Sequence, residues 1–111
     1  MRGFAAILAL SALAHSAFAQ SPAQDREKLV AVYKVTISQE LCKFELTDDQ
    51  ADAVGKASDK LEEQLGLTDE DAQKLYDQIQ ATLEQQKPGG LCDPAGEWSK
   101  VYKQSLADLA K

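Results

Sequence analysis

The chain has 111 residues, with 18 acidic and 12 basic side chains, a formal net charge of −6, two cysteines and one histidine. A chain of this length forms one small domain, and its acidity argues against binding to nucleic-acid backbones or anionic lipid surfaces. The sequence has no basic patch with interleaved aromatic residues, so we expect no nucleic-acid partner.

Residues 1–19 have the pattern of a secretory signal peptide. Arg2 precedes a short apolar run, and the small-x-small sequence from Ala17 to Ala19 supplies a cleavage site. The run is shorter than the ~20 apolar residues of a membrane-spanning helix. We therefore expect a periplasmic or secreted protein that does not span the membrane, with residues 20–111 forming a single helical domain.

Cleavage at this site removes the only histidine, His15. Without a histidine base or a spare thiol, the remaining chain cannot assemble a nucleophilic triad or a His/Cys zinc site. A pair of carboxylates acting as glycosidase acid and base needs a substrate cleft, for which a small helical chain has little material. We therefore expect a non-enzymatic protein with no catalytic residue, no cofactor and no metal.

The first element after the leader is predicted to be a helix that ends near Leu41. Ser21 and Pro22 are a favoured N-cap and first helical residue. The β-branched residues of 30–37 also allow a strand, but the length and the lack of turn residues favour the helix. Apolar residues recur at spacings of three and four, which predicts one buried stripe. Its members are Val30, Tyr33, Ile37 and Leu41.

Two further helices are predicted to begin with nearly the same sequence. Thr47 caps the second helix and Gln50 completes its capping box. Gly66 ends that helix, where a left-handed conformation is favoured, and Thr68 caps the third. The predicted inner faces are Ala51, Val54, Ala57, Leu61 and Leu65 in the second helix, and Ala72, Leu75, Ile79 and Leu83 in the third.

The last helix follows the chain-breaking sequence of residues 87–90. Asp93 and Pro94 are predicted to be its cap and first residue. Its predicted buried face is Trp98, Tyr102, Leu106 and Leu109. The sequence as a whole predicts an all-α fold, a single small four-helix domain.

Cys42 and Cys92 are an even pair in a chain that we expect to reach an oxidising compartment, so a disulfide is predicted. The bridge closes a loop of about 51 residues, for which loop-closure entropy gives ~4 kcal/mol of stabilisation. A redox-active pair is disfavoured because Cys-x-x-Cys spacing is absent. The bridge would join the end of the first helix to the start of the last.

Acidic residues cluster at the starts of the second and third helices. Clustered carboxylates can bind Ca²⁺, although no Asp-x-Asp-x-Asp-Gly loop is present. Acidic residues at a helix N-terminus also stabilise the helix by ~0.3–1 kcal/mol each, and this interpretation is favoured. The residues of the cation-binding alternative are Asp48, Asp49, Asp52, Asp69, Glu70 and Asp71.

The segment Gly96-Glu97-Trp98 follows the second cysteine and precedes a lysine-bearing terminal helix. This segment, with the spacing of Cys42 and Cys92, resembles the HdeA-type acid-stress chaperones. The resemblance implies a disulfide that ties the helices together and a low-pH loosening that lets the protein bind other unfolding proteins. The Leu-Thr-Asp helix starts and the Lys-Pro-Gly-Gly loop depart from that family's pattern.

The favoured functional hypothesis is a protein that acts through contact with other proteins, in envelope or acid stress. Tyr76 is the candidate for a contact surface because it lies beside the predicted inner face of the third helix. The alternative is a small-ligand or cation-binding module, and an enzyme is the least favoured hypothesis.

Overall fold

The computed structural model describes residues 22–109, so the predicted leader and the predicted cap Ser21 lie outside the described residues. Every regular element in the described range is helical, including residues 30–37, and one disulfide is present. The predicted all-α, four-helix fold is therefore confirmed. The helices are α1 (Pro22–Cys42), α2 (Asp48–Leu65), α3 (Asp69–Gln86) and α4 (Glu97–Leu109), with a short 3₁₀ helix at Lys87–Gly89 after α3.

Helix α1 is the central element of the bundle. Helices α2, α3 and α4 all pack against it, and α4 also packs against α2. Because three helices cover α1, it is buried on more than one side. The single buried stripe predicted from the sequence therefore includes too few of the buried residues of α1. Leu29, Val32 and Val35 are buried although they lie outside that stripe, whereas Val30 and Leu41 are only partly buried. A helix covered from several sides loses its amphipathic pattern.

Both ends of α2 follow local sequence rules. The Thr47 hydroxyl accepts the Gln50 backbone N–H at 3.1 Å, and the Gln50 side chain accepts the Thr47 N–H at 2.9 Å. Gly66 ends the helix in the left-handed region with φ 65°, a conformation that suits glycine. Thr68 caps α3 through the Asp71 N–H. Ala51 is exposed rather than part of the inner face, since it lies in the first turn of α2.

The start of α4 differs from the prediction. The helix begins at Glu97, and Asp93 instead forms a turn in which its Oδ1 accepts the Ala95 N–H at 3.0 Å and its carbonyl accepts the Gly96 N–H at 2.9 Å. Aspartate before proline suits such a turn as well as a helix cap. The residues after Cys92 therefore form a turn, and α4 starts later.

Within residues 22–109, side-chain hydrogen bonds connect the elements around the apolar core. Tyr33 of α1 donates its hydroxyl to Glu62 of α2 at 2.6 Å. Trp98 of α4 donates Nε1–H to Ser38 of α1 at 2.6 Å. The buried apolar residues are Leu29, Val32, Tyr33, Val35, Ile37, Val54, Leu61, Leu75, Ile79, Leu83, Leu91, Tyr102 and Leu106. A further hydrogen bond, from the Tyr102 hydroxyl to the Glu45 carbonyl, joins α4 to the α1–α2 loop and is described with the site below. Within residues 22–109, no helix has the length and apolarity that crossing a membrane requires.

Candidate functional site

The disulfide between Cys42 and Cys92 ties the end of α1 to the segment that leads into α4. The two Cα atoms are 5.0 Å apart, and both cysteines are partly exposed. The predicted pairing is confirmed. The bridge closes one end of the bundle and leaves α2 and α3 on the loop between the two cysteines.

An open groove of about 660 Å³ lies beside the disulfide. Tyr102 and Leu106, two buried residues of α4, line its base. Phe44 packs its ring against Tyr102 with the ring centroids 5.0 Å apart. Pro94 and Ala107 are exposed apolar members of the walls. The groove is thus bounded by α4, by the α1–α2 loop together with Gln50 in the first turn of α2, and by the turn that follows Cys92.

The α1–α2 loop, residues 43–47, is held in place by specific contacts. Tyr102 donates its hydroxyl to the Glu45 carbonyl at 3.0 Å, which fastens the loop to α4. Lys43 begins the loop with φ 59°, a left-handed conformation that is uncommon for a residue with a Cβ atom. The capping box of Thr47 fixes the other end of the loop. The groove is therefore formed by the folded chain before any ligand arrives.

The charged side chains that line the groove are two lysines, Lys43 and Lys103, and one acid, Glu45. Both lysines are exposed. This small excess of positive charge contrasts with the net charge of −6 for the whole chain. The Tyr102 hydroxyl stays protonated to higher pH than a free tyrosine, because burial raises its pKa. The groove can therefore attract an anionic group at its rim and cover an apolar group below it.

The acidic residues of the cation-binding alternative lie in two separate places. Asp48 and Asp49 lie in the first turn of α2, and Asp69, Glu70 and Asp71 lie in the first turn of α3. These two helix starts are about 25 Å apart, because all of α2 separates them at 1.5 Å per residue. Within residues 22–109, no group of three or more acidic, cysteine or histidine side chains is arranged to hold a metal ion.

The surroundings of these acids include basic and aromatic residues. Asp49 and Asp52 line a shallow groove together with Lys56 and Lys60. Glu70 pairs with Lys74 at 3.3 Å, with both side chains exposed. Asp69 instead lines a polar groove of about 430 Å³ between α1, α2 and α3, together with Tyr33, Glu62 and Tyr76.

Tyr76, the candidate for a contact surface, is partly buried against the core. Its ring meets the Tyr33 ring edge to face, with the centroids 5.4 Å apart. Burial raises the pKa of Tyr76, and the neighbouring carboxylates Glu40 and Asp77 raise it further. Burial also raises the pKa of Tyr33, with a further increase from its hydrogen bond to Glu62. Part of the Tyr76 side chain is exposed, and its role as a contact residue stays a prediction.

The groove residues themselves were not identified from the sequence. Lys43 and Phe44 directly follow Cys42, and Lys103 and Leu106 belong to the helix after Cys92. The disulfide was predicted, so the segments next to its two cysteines could have been placed together on that basis alone. No protein-family model, curated protein or solved structure matches this chain.

Proposed function

We propose that this is an exported, non-enzymatic helical protein that acts by binding other proteins when acid loosens its bundle. The observation that supports this proposal best is that a covalent bond links only some of the helices to one another. The disulfide ties α1 to the segment before α4, whereas α2 and α3 are attached to α1 by non-covalent packing and by the Tyr33–Glu62 hydrogen bond. Helices α2 and α3 can therefore separate from α1 while the chain stays covalently closed.

Acid supplies the force for this separation. Residues 20–111 carry 11 basic and 18 acidic side chains, a formal charge of −7, because Arg2 is the one charged residue of the predicted leader. Near pH 2 the carboxylates are protonated and the positive charges repel one another, which opposes a compact state. The disulfide limits how far the loosened chain expands.

The hydrogen bond that joins α2 to α1 and the dipole interactions within α2 and α3 also weaken in acid. Protonation of Glu62 turns its charge-assisted hydrogen bond with Tyr33 into a neutral one, which is roughly half as strong. Protonation of the acidic residues in the first turns of α2 and α3 removes their favourable interaction with the helix dipoles, ~0.3–1 kcal/mol each. Helices α2 and α3 carry two and three acidic residues in their first turns, against one each in α1 and α4, so acid removes more of this stabilisation from the two helices that lack a covalent tie.

The surfaces released by this opening are apolar. Leu61 of α2 and the residues Leu75, Ile79 and Leu83 of α3 are all buried in the closed bundle. Once exposed, they form contiguous apolar patches of the kind that bind unfolding proteins. The resemblance of the Gly96–Trp98 segment to HdeA-type acid-stress chaperones supports the same function.

The proposal is tested by measuring hydrophobic-dye binding and the protection of an aggregation-prone test protein between pH 7 and pH 2. We expect no dye binding at pH 7, and both dye binding and protection at pH 2. Glu62→Gln removes the carboxylate that accepts from Tyr33, so we expect its opening midpoint at higher pH than the parent's. Glu63→Gln, an exposed neighbour on α2, is the matched control and should keep the parental midpoint.

Two outcomes would contradict the proposal. One is a protein that at pH 2 binds no dye and leaves the test protein to aggregate. The other is an identical shift of midpoint in both glutamine variants, which would show that only total charge matters.

Export is tested separately by mass spectrometry of the protein from the producing cell, which should show a chain that begins at Gln20 with its two cysteines joined.

A further inference from the structure

We propose that the groove beside the disulfide binds a free carboxylate-headed amphiphile, a medium-chain fatty acid or a molecule of the same chemistry. The apolar chain lies along the wall formed by Phe44, Pro94 and Ala107, and the carboxylate is held between Lys43 and Lys103. This site is separate from the surfaces that acid exposes, and it exists in the closed bundle at neutral pH.

The size and lining of the groove suit a small amphiphile. Its volume of about 660 Å³ lies within the ~300–1,000 Å³ of typical small-molecule pockets. The wall that a ligand can reach combines an aromatic ring, a proline ring, a methyl group and the partly exposed disulfide. The lining also contains Thr47, Gln50 and Ser99, but Thr47 and Gln50 bond each other in the capping box of α2 and Ser99 is buried. The apolar part of the lining offers dispersion contacts to a hydrocarbon chain.

The charge of the lining selects the head group. Lys43 and Lys103 supply two ammonium groups at the rim, and among the described residues Glu45 is the one acid that lines the groove. An anionic head is attracted to the lysines, whereas a cationic head is repelled by them. Glu45 opposes the approach of a second negative charge, so a monoanion such as a carboxylate fits better than a multiply charged phosphate group.

The helical backbone disfavours an extended peptide as the occupant. An extended peptide gains much of its affinity by adding a strand to a sheet edge, and the described range of this chain contains only helices, turns and loops. A hydrocarbon chain needs no backbone partner. The small and bounded groove therefore favours a single flexible chain with one charged end.

Calorimetry at pH 7 with decanoate and decyltrimethylammonium below their micelle concentrations, and with decanol below its solubility limit, tests the proposal. We expect decanoate to bind most tightly and decyltrimethylammonium to show no binding. Each methylene added between octanoate and decanoate should tighten binding up to about fourfold, because a buried methylene contributes ~0.8 kcal/mol. Equal affinity for all three head groups, or no binding of decanoate at millimolar concentration, would overturn the proposal.

Variants locate the binding site. Lys103→Glu reverses one rim charge and should weaken decanoate binding about fivefold or more, whereas Lys100→Glu, on the same helix but outside the groove lining, should leave it unchanged. Ala107→Trp fills the groove from an exposed position and should abolish binding, and Ala81→Trp on exposed α3 surface is its control. Circular dichroism verifies that each variant is folded. Equal effects in a variant and its control would overturn the assignment.

Two further questions are tested in the same series: whether the occupant is a free amphiphile or an anionic membrane surface, and whether the groove is linked to acid opening. Phosphatidylglycerol vesicles should not co-sediment with the protein at pH 7, and tighter binding to vesicles than to decanoate would contradict a free ligand. The Ala107→Trp variant should keep its protection of the test protein at pH 2. Loss of both activities in that variant would show that the groove and the acid-exposed surfaces are not separate.

Discussion

Replacing both cysteines with alanine is expected to lower the free energy of unfolding by about 4 kcal/mol. Cys42 and Cys92 are separated by 50 positions in sequence, so the bridge constrains a loop of about 51 residues in the unfolded chain. Loop-closure entropy for that length is about 14 cal/mol/K, which gives about 4 kcal/mol at 25 °C. This is a large share of the ~5–15 kcal/mol by which a small domain is stable.

Urea denaturation of the parent and of the Cys42→Ala/Cys92→Ala variant, followed by circular dichroism at pH 7, measures this difference. The double variant avoids the free thiol that a single replacement leaves. In a thermal melt the same loss corresponds to a fall in Tm of roughly 20 °C for a domain of this size. A double variant within 1 kcal/mol of the oxidised parent would refute the reasoning, because the bridge would then add nothing beyond helix packing.

Three further substitutions have expected effects that differ in sign or in pH dependence. Gly66→Ala places a Cβ atom on a residue with φ 65° and should destabilise the protein by about 1–2 kcal/mol. Gly55→Ala should instead stabilise it by up to ~1 kcal/mol, because Gly55 lies in the middle of α2 on its exposed face and a Cβ atom there meets nothing within 4 Å. Urea midpoints measure both, and effects of equal sign would contradict the assignment of Gly66 as an obligate cap. Tyr33→Phe should flatten the alkaline loss of stability. The folded pKa of Tyr33 is raised above 10.0, so its contribution is complete below pH 10 and is lost as the pH rises towards the folded pKa. A tyrosine that stays protonated only in the folded state lowers the stability by about 1 kcal/mol between pH 10 and pH 11, and the variant should lose about that much less over the same interval. An unchanged slope would place the alkaline titration elsewhere.

The features that could be predicted from the sequence depend on neighbouring residues or on the number of cysteines. The Thr47 capping box and the Gly66 helix end are local, so a few adjacent residues determine them. The disulfide was predictable because two cysteines allow one pairing. Asp93 was misassigned because an aspartate before a proline suits both a turn and a helix cap, and only the surrounding fold decides between them.

The features that were missed depend on contacts between distant parts of the chain. The breadth of the buried surface on α1 follows from the number of helices that cover it, and the only sign of it in the sequence of α1 is the lack of a one-sided apolar pattern. The groove combines Phe44 with Lys103, residues that lie far apart in sequence and meet only when α4 packs beside the α1–α2 loop. Charge and hydropathy patterns along one helix contain no information about such a meeting.

The central position of α1 has a consequence for the order in which the molecule matures. This helix is the first one in the described chain, while Cys92, which must pair with Cys42, lies after α2 and α3. Oxidation is therefore a late event that can occur only after three of the four helices have been made. Since the chain has two cysteines, that oxidation has a single intramolecular product, and maturation requires an oxidant but no enzyme that reshuffles mispaired bridges.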